Sequence, residues 1–289
     1  MIEPLPAGLP IVRDPDVRMI SDTLWWGGAP NQIICLTSTG HRLWQRIQAG
    51  GISGEAEGDL ARLLTDAGFA HPCPPPRTGP EATVIVVLRS APSRLRRSLA
   101  ALASAYPVRV VIDDESEAPA EVTAVAERLG ITVLRHEGRL DLMAARRCAL
   151  HRVKSDLVAY LDSGCLPSPG WIERLAGHFD DPLVAAVAPR ITAPGTRANG
   201  LDLGDRPARV TPDSTIGFVS STALLARRDA FADIGGEMPG FDMASRMTGW
   251  DDLAWQFHAA GWRVRYDPGV HVRYEPGNAG TGAGPLAAA

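Results

Sequence analysis

No Cys-x-x-Cys spacing occurs anywhere in these 289 residues; the four cysteines, Cys35, Cys73, Cys148 and Cys165, are scattered. That scatter offers neither a zinc ligand set nor a disulfide framework, so the thiols read as reduced and the protein as cytoplasmic. No apolar run approaches the roughly 18 residues of a membrane span, and Met1–Pro10 lacks the basic-then-apolar order of a signal peptide. A cationic surplus is missing too, since the formal net charge is −4. A phosphate-backbone binder needs a basic face, and nucleic acid is therefore not an expected partner. Nor is there a glycine-rich phosphate loop after the first strand of the main domain. Leu88-Arg89-Ser90-Ala91-Pro92 stands there instead, which counts against a nucleotidyltransferase.

What is present is an ordinary globular composition, 45% hydrophobic and 21% charged, enough for one large or two unequal domains. Residues 1–72 read as a small unit of short extended pieces followed by two helices. Thr37 or Ser38 caps the first, with Leu43, Trp44 and Ile47 inward; Glu57–Ala67 forms the second, with Leu60, Leu63 and Leu64 on one face. Residues 73–80, Cys-Pro-Pro-Pro-Arg-Thr-Gly-Pro, read as a stiff linker, residues 81–275 as the main domain, and the Gly- and Ala-rich residues 276–289 as a flexible tail.

Beyond the linker, strands and helices alternate. Thr83–Leu88, Val108–Ile112, Ile131–Leu134 and Leu157–Leu161 are apolar, β-branched runs; Ser93–Ser104, Ala120–Leu129 and Leu140–Val153 carry helical spacing. Strand–helix–strand repetition implies parallel pairing with right-handed crossovers, hence an α/β sheet. Two of its strands stop at carboxylates, Asp113-Asp114 and Asp162, and parallel strands place both on the carboxyl edge where such sheets bind ligands. Turn capping accounts for either carboxylate alone; their convergence points to a site.

The blocks VIVVLRSAPSRLRRSLAAL, VRVVIDDES, LVAYLDSGCLPSPGW, FVSSTALLARRDAFADIGG and DDLAWQFHAAGWRVRYDPGV, in this order, resemble a family 2 glycosyltransferase. Within that family the chain is most similar to the branch serving mycofactocin biosynthesis, through the block LDLGDRPARVTPDSTIGFVSSTALLARR and through residues 1–72, which resemble the winged-helix peptide-recognition domains of peptide-modifying systems. The resemblance implies a GT-A fold. It also implies inverting transfer of a sugar, glucose in that branch, from a UDP-sugar to a peptide-derived or other small-molecule acceptor such as mycofactocin. A degenerate member that binds without turnover is the alternative. Peripheral membrane association is a further implication.

By the same resemblance, Arg89, Asp113, Asp114, Asp162, Ser163 and Arg273 bind the donor. Ser221, Thr222 and Trp250 line the acceptor side, and Asp251 or Asp252 is the general base. A divalent metal, Mn or Mg, belongs on Asp162, with His271 as a second candidate ligand. Two departures stand out. The family's Asp-x-Asp reads Asp162-Ser163-Gly164 here, which removes the carboxylate expected to hold the metal. Gly249 and Trp250 occupy the Glu-Asp pair ahead of Asp251 and Asp252. His271 and Arg273 share a strand face, and an arginine binds phosphate well where a metal is lost. Arg94, Arg96 and Arg97 read most simply as a solvated helix face, with contact of one of them to a phosphate near the carboxyl end of the first strand as the alternative, and Trp255 and Trp262 read as core.

Overall fold

Near the N terminus, short alternating runs pair into two small sheets. The computed structural model describes residues 3–79, 81–88, 92–102, 108–113, 118–135, 149–193, 201–220, 222–234 and 253–275. β1 (Ile11–Arg13) pairs antiparallel with β5 (Ala70–Pro72), while β2 (Arg18–Met19), β3 (Leu24–Gly27) and β4 (Gln32–Cys35) form a meander. α1 (Ser38–Gly50) is capped by Thr37, whose side chain accepts the Gly40 N–H at 3.0 Å; α2 is Glu55–Asp66. Trp25 packs edge-on against Trp44, ring centroids 5.2 Å apart, at the centre of the module's own core with Leu64 and Phe69.

α2 departs from the expected face. Leu63 is exposed, and Arg62 is buried in its place. The helix lies on the main domain, where a burial site needs a charge rather than a leucine. Arg62 donates to both oxygens of Asp181, at 2.7 and 2.8 Å, and Arg265 donates to the same carboxylate at 2.5 Å. Asp66 adds a second tie, accepting from Arg263 at 2.8 Å while its carbonyl accepts from Arg209. The proline-rich stretch runs along the main domain rather than standing free. The Arg77 N–H donates to Glu173 O at 2.7 Å, and a Cβ on Gly177 would meet Pro75 O at 2.4 Å, so only glycine admits the chain there.

The main sheet is built on β6 (Ala82–Leu88), all seven residues of which are buried, as expected of a strand covered on both faces. Val84, Val86 and Leu88 face one side, where α3 (Pro92–Leu102) packs Leu95, Leu99 and Leu102; Ile85 and Val87 face the other. Next along the chain come β7 (Val108–Asp113), α4 (Pro119–Arg128), β8 (Thr132–Arg135), β9 (Leu157–Asp162), β10 (Cys165–Pro167), α5 (Trp171–Ala176), β11 (Val184–Thr192), β12 (Ala208–Arg209), β13 (Ala223–Arg227), α6 (Ala230–Asp233), α7 (Leu253–Ala259) and β14 (Arg263–Tyr274). Most of the helix expected over Leu140–Val153 lies outside the described residues.

Strand order is β10-β14-β11-β13-β9-β6-β7-β8, with β12 on β14. β6 to β9 pair in parallel as expected, and β11 and β14 run the same way, but β13 is inserted antiparallel between β9 and β11. The sheet is mixed and mostly parallel. β14 changes register beside β11: Asp267 lies opposite Pro189 but His271 opposite Arg190, so Pro268, Gly269 and Val270 form a bulge. On α7, Leu253, Ala254 and Phe257 are inward, which turns Trp255 out to 55% exposure against the expectation of a core residue. Trp262 is partly buried and donates its ring N–H to Asp233 at 3.1 Å.

Candidate active site

The carboxyl edge collects the ends of β6, β7, β9, β11 and β14 and the start of the reversed strand β13. Across it, Leu88 lies opposite Asp113 and Val87 opposite Asp162. The two aspartates therefore flank β6, one strand to either side, roughly 10 Å apart in backbone position.

Asp162-Ser163-Gly164 is pinned from four directions. The Asp162 N–H donates to Thr222 O at 2.9 Å, the Ser163 N–H to Val87 O at 2.8 Å, and Ser98 Oγ of α3 to Ser163 O at 2.6 Å. On the fourth side the Glu275 N–H donates to Gly164 O at 2.9 Å. Cys165 Sγ also reaches Thr222 O, at 3.3 Å. Such fixing removes the freedom a turn otherwise has, and the half-buried Asp162 carboxylate is aimed by its backbone. Ser163 is buried at 4% exposure and meets β6 and α3 through its backbone. Thr222 accepts from Ser220 Oγ at 2.8 Å and touches the aspartate turn through its carbonyl.

On β14, His271 and Arg273 are both exposed and on one face, but they stand at different heights. Arg273 lies opposite Leu166, whereas the Ser168 N–H donates to His271 O. His271 stands four positions before Glu275, the neighbour of Gly164, roughly 13 Å along a strand. Arg89, Asp114, Ser221, Trp250, Asp251 and Asp252 lie outside the described residues, and Asp113 is placed by its backbone alone.

One residue at this edge carries no signal in the sequence, Glu275. Glu275 accepts from Arg97 Nη1 at 2.9 Å and from Arg273 Nη2 at 3.0 Å. Nothing local marks Glu275 beyond its place two residues after Arg273, whereas Arg97 belongs to the helix face for which the sequence leaves a phosphate contact open. A second polar cluster closes the opposite end of β14. It surrounds a cavity of about 220 Å³ at the junction of module and domain, lined among others by His71, His178, Arg209, Arg263 and Asp267. Burial pushes the His178 imidazole down, which the 3.0 Å contact to Asp267 only partly offsets.

A family model described as "Glycosyl transferase family 2" matches residues 83–235. The chain belongs to that family. It is 37% identical over 288 residues to the pre-mycofactocin glycosyltransferase of Mycobacterium tuberculosis, in two strains, covering 94% of this chain and 59% of the relative. The chain thus spans about three fifths of the length of the curated relatives it matches. Among solved structures, GalNAc-T7 with UDP, GalNAc and Mn2+ aligns at TM-score 0.56 and 15% identity, over 73% of this chain and 45% of that one. The mannosyltransferase PcManGT from Pyrobaculum calidifontis, in complex with GDP-Man and Mn2+, aligns at TM-score 0.54 and 22% identity, over 71% and 60%. The GT-A fold expected from the resemblance is the fold observed.

In the family's Asp-x-Asp pattern, the second carboxylate falls on Gly164. A Cβ there would meet Glu275 O at 2.9 Å and the Tyr274 ring at 3.0 Å. The backbone of Glu275, just past β14, and the Tyr274 ring occupy the space in which a side chain would begin. Among the described residues no group of three carboxylate, imidazole or thiol side chains could hold a metal ion. The described side chains do not fit the metal arrangement that the Asp-x-Asp pattern implies. No described helix is long and apolar enough to cross a membrane.

Proposed function

We propose that the protein transfers a sugar, glucose, with inversion from a UDP-sugar to a peptide-derived acceptor of the mycofactocin type. The observation that carries this reading is the 37% identity to the pre-mycofactocin glycosyltransferases across 94% of the chain. The two aspartates flanking β6 support it by supplying carboxylates where a nucleoside and its ribose need hydrogen-bond acceptors. In this reading Asp113 and Asp114 hold the nucleoside and Asp162 the ribose. Asp251 or Asp252 removes the acceptor hydroxyl proton as that oxygen attacks the anomeric carbon, and the UDP leaves with the bonding pair.

Incubation with UDP-glucose and the mycofactocin precursor, followed by mass spectrometry, is expected to add one hexose per turnover. UDP-glucose bound but no hexose gained is the result that replaces this reading with the non-catalytic one, which the closed space at Gly164 favours. We assign peptide recognition to the N-terminal module. Deletion is a poor test of that, because it strips Asp181 of Arg62. Titration of precursor and scrambled peptides into the full chain is cleaner, and equal affinities sink the assignment.

A further inference from the structure

At the donor edge the family's second carboxylate is gone and its space is taken by the end of β14. The residue that closes the space, Glu275, gathers two guanidinium groups there, Arg97 from α3 and Arg273 from β14, one on each carboxylate oxygen. Both arginines stay about three fifths exposed, and Glu275 is about one quarter exposed. The chain thus holds a pair of cations open to solvent, converging on one small anion, beside the turn that carries Asp162. Arg97 is placed by α3, which is tied to that turn through Ser98 and Ser163. Arg273 is placed by the β10–β14 ladder, opposite Leu166.

We propose that Arg97 and Arg273 form a metal-independent clamp for the donor's diphosphate, and that the Glu275 carboxylate is the resident anion the diphosphate displaces. The proposal rests on the glycosyltransferase reading above. Its charge balance is direct, since two guanidiniums match the doubly negative diphosphate of a nucleotide-sugar, whereas one carboxylate leaves a positive remainder. Guanidinium groups suit the task because their planar forks bind phosphate oxygens in pairs and stay charged at any working pH. Exposure makes the exchange inexpensive, because a solvated ion pair is worth little and yields readily to a ligand of higher charge. Glu275 is a positioning residue in this scheme: it keeps two like charges together at the right height without donor.

The test is calorimetric titration of the full chain with UDP, and with uridine as a phosphate-free control, in Mn2+ and in EDTA. The expected result is UDP binding that is equal in the two buffers and weakened roughly tenfold or more in Arg97→Ala and in Arg273→Ala. Uridine binding is expected to be unchanged in both variants, which also shows that they are folded. Arg273→Lys recovers part of the loss, and Glu275→Gln, which removes the competing charge, tightens UDP binding. UDP binding that requires Mn2+ and ignores both arginine substitutions overturns the clamp while leaving the glycosyltransferase reading in place. Failure of UDP and UDP-glucose to bind the unsubstituted protein in either buffer overturns both.

Discussion

Among the described residues, one carboxylate between two arginines occurs twice, at opposite ends of β14. At the junction with the N-terminal module, Asp181 lies between Arg62 and Arg265, with side-chain exposures of 0%, 2% and 8%. At the carboxyl edge, the partly buried Glu275 lies between Arg97 and Arg273, both of which are mostly in solvent. The chemistry is the same and the surroundings differ, which decides what each cluster can do. Buried charges that lose a partner are left in a poor solvent, so the Asp181 cluster is a structural fixture. Solvated charges lose little on separating, so the Glu275 cluster is free to exchange its anion.

The sharpest way to break this comparison is to remove each carboxylate in turn. Asp181→Ala leaves two buried guanidiniums unpaired and is expected to lower unfolding free energy by about 3–5 kcal/mol in urea titration. The same measurement on Glu275→Ala is expected to show a change within about 0.5 kcal/mol. Comparable losses in the two variants end the distinction.

Gly164→Asp comes next in size. The new side chain must displace backbone and ring atoms of β14, a cost of about 1–3 kcal/mol by thermal or urea unfolding, and it is not expected to create Mn2+-dependent UDP binding. Full stability together with new metal dependence refutes the account of why glycine stands there.

Acid sharpens the contrast further. Burial alone raises the Asp181 carboxyl, but the Arg62 hydrogen bond and the charges of Arg265 and Arg62 hold it below its ordinary value. A carboxylate held low contributes fully above the unfolded value of about 3.9 and loses that contribution as pH falls through the folded value. His178 acts earlier. Its folded pKa is depressed by burial, so the unfolded chain binds protons first and stability declines below about pH 6.5. Stability is thus expected to fall in two stages, the first absent in His178→Gln, and a single acid transition in both proteins contradicts the assignment. The smallest expected effect is that of salt: 0.5 M NaCl leaves the Asp181 contribution nearly intact and screens the Glu275 cluster.

Much of the carboxyl edge is legible in the sequence. β6 and β9 are continuous apolar runs ending at abrupt polar stops, and parallel pairing then places Asp113 and Asp162 on one edge by geometry alone. The antiparallel insertion of β13 was not legible, because the run Ala223–Arg227 has the same local pattern in either direction. Nor were Arg62 and Trp255, which take the inward and outward positions that helical spacing assigns to their neighbours. Arg62 and Asp181 are 119 residues apart, Arg265 and Asp181 84. A charge that is buried by a distant partner looks like any surface charge in its own segment. Gly164 was visible as a departure, but its cause lay in a strand end more than a hundred residues away.

The bulge at Pro268, Gly269 and Val270 has a mechanical side. β14 is one continuous strand, anchored to the N-terminal module at Arg263 and Arg265 and carrying Arg273 at its other end. A straight strand would act as a push-rod, passing any displacement of the module lengthwise to the donor edge. With the bulge between them, each end keeps its own register against β11, and the two alignments are set separately.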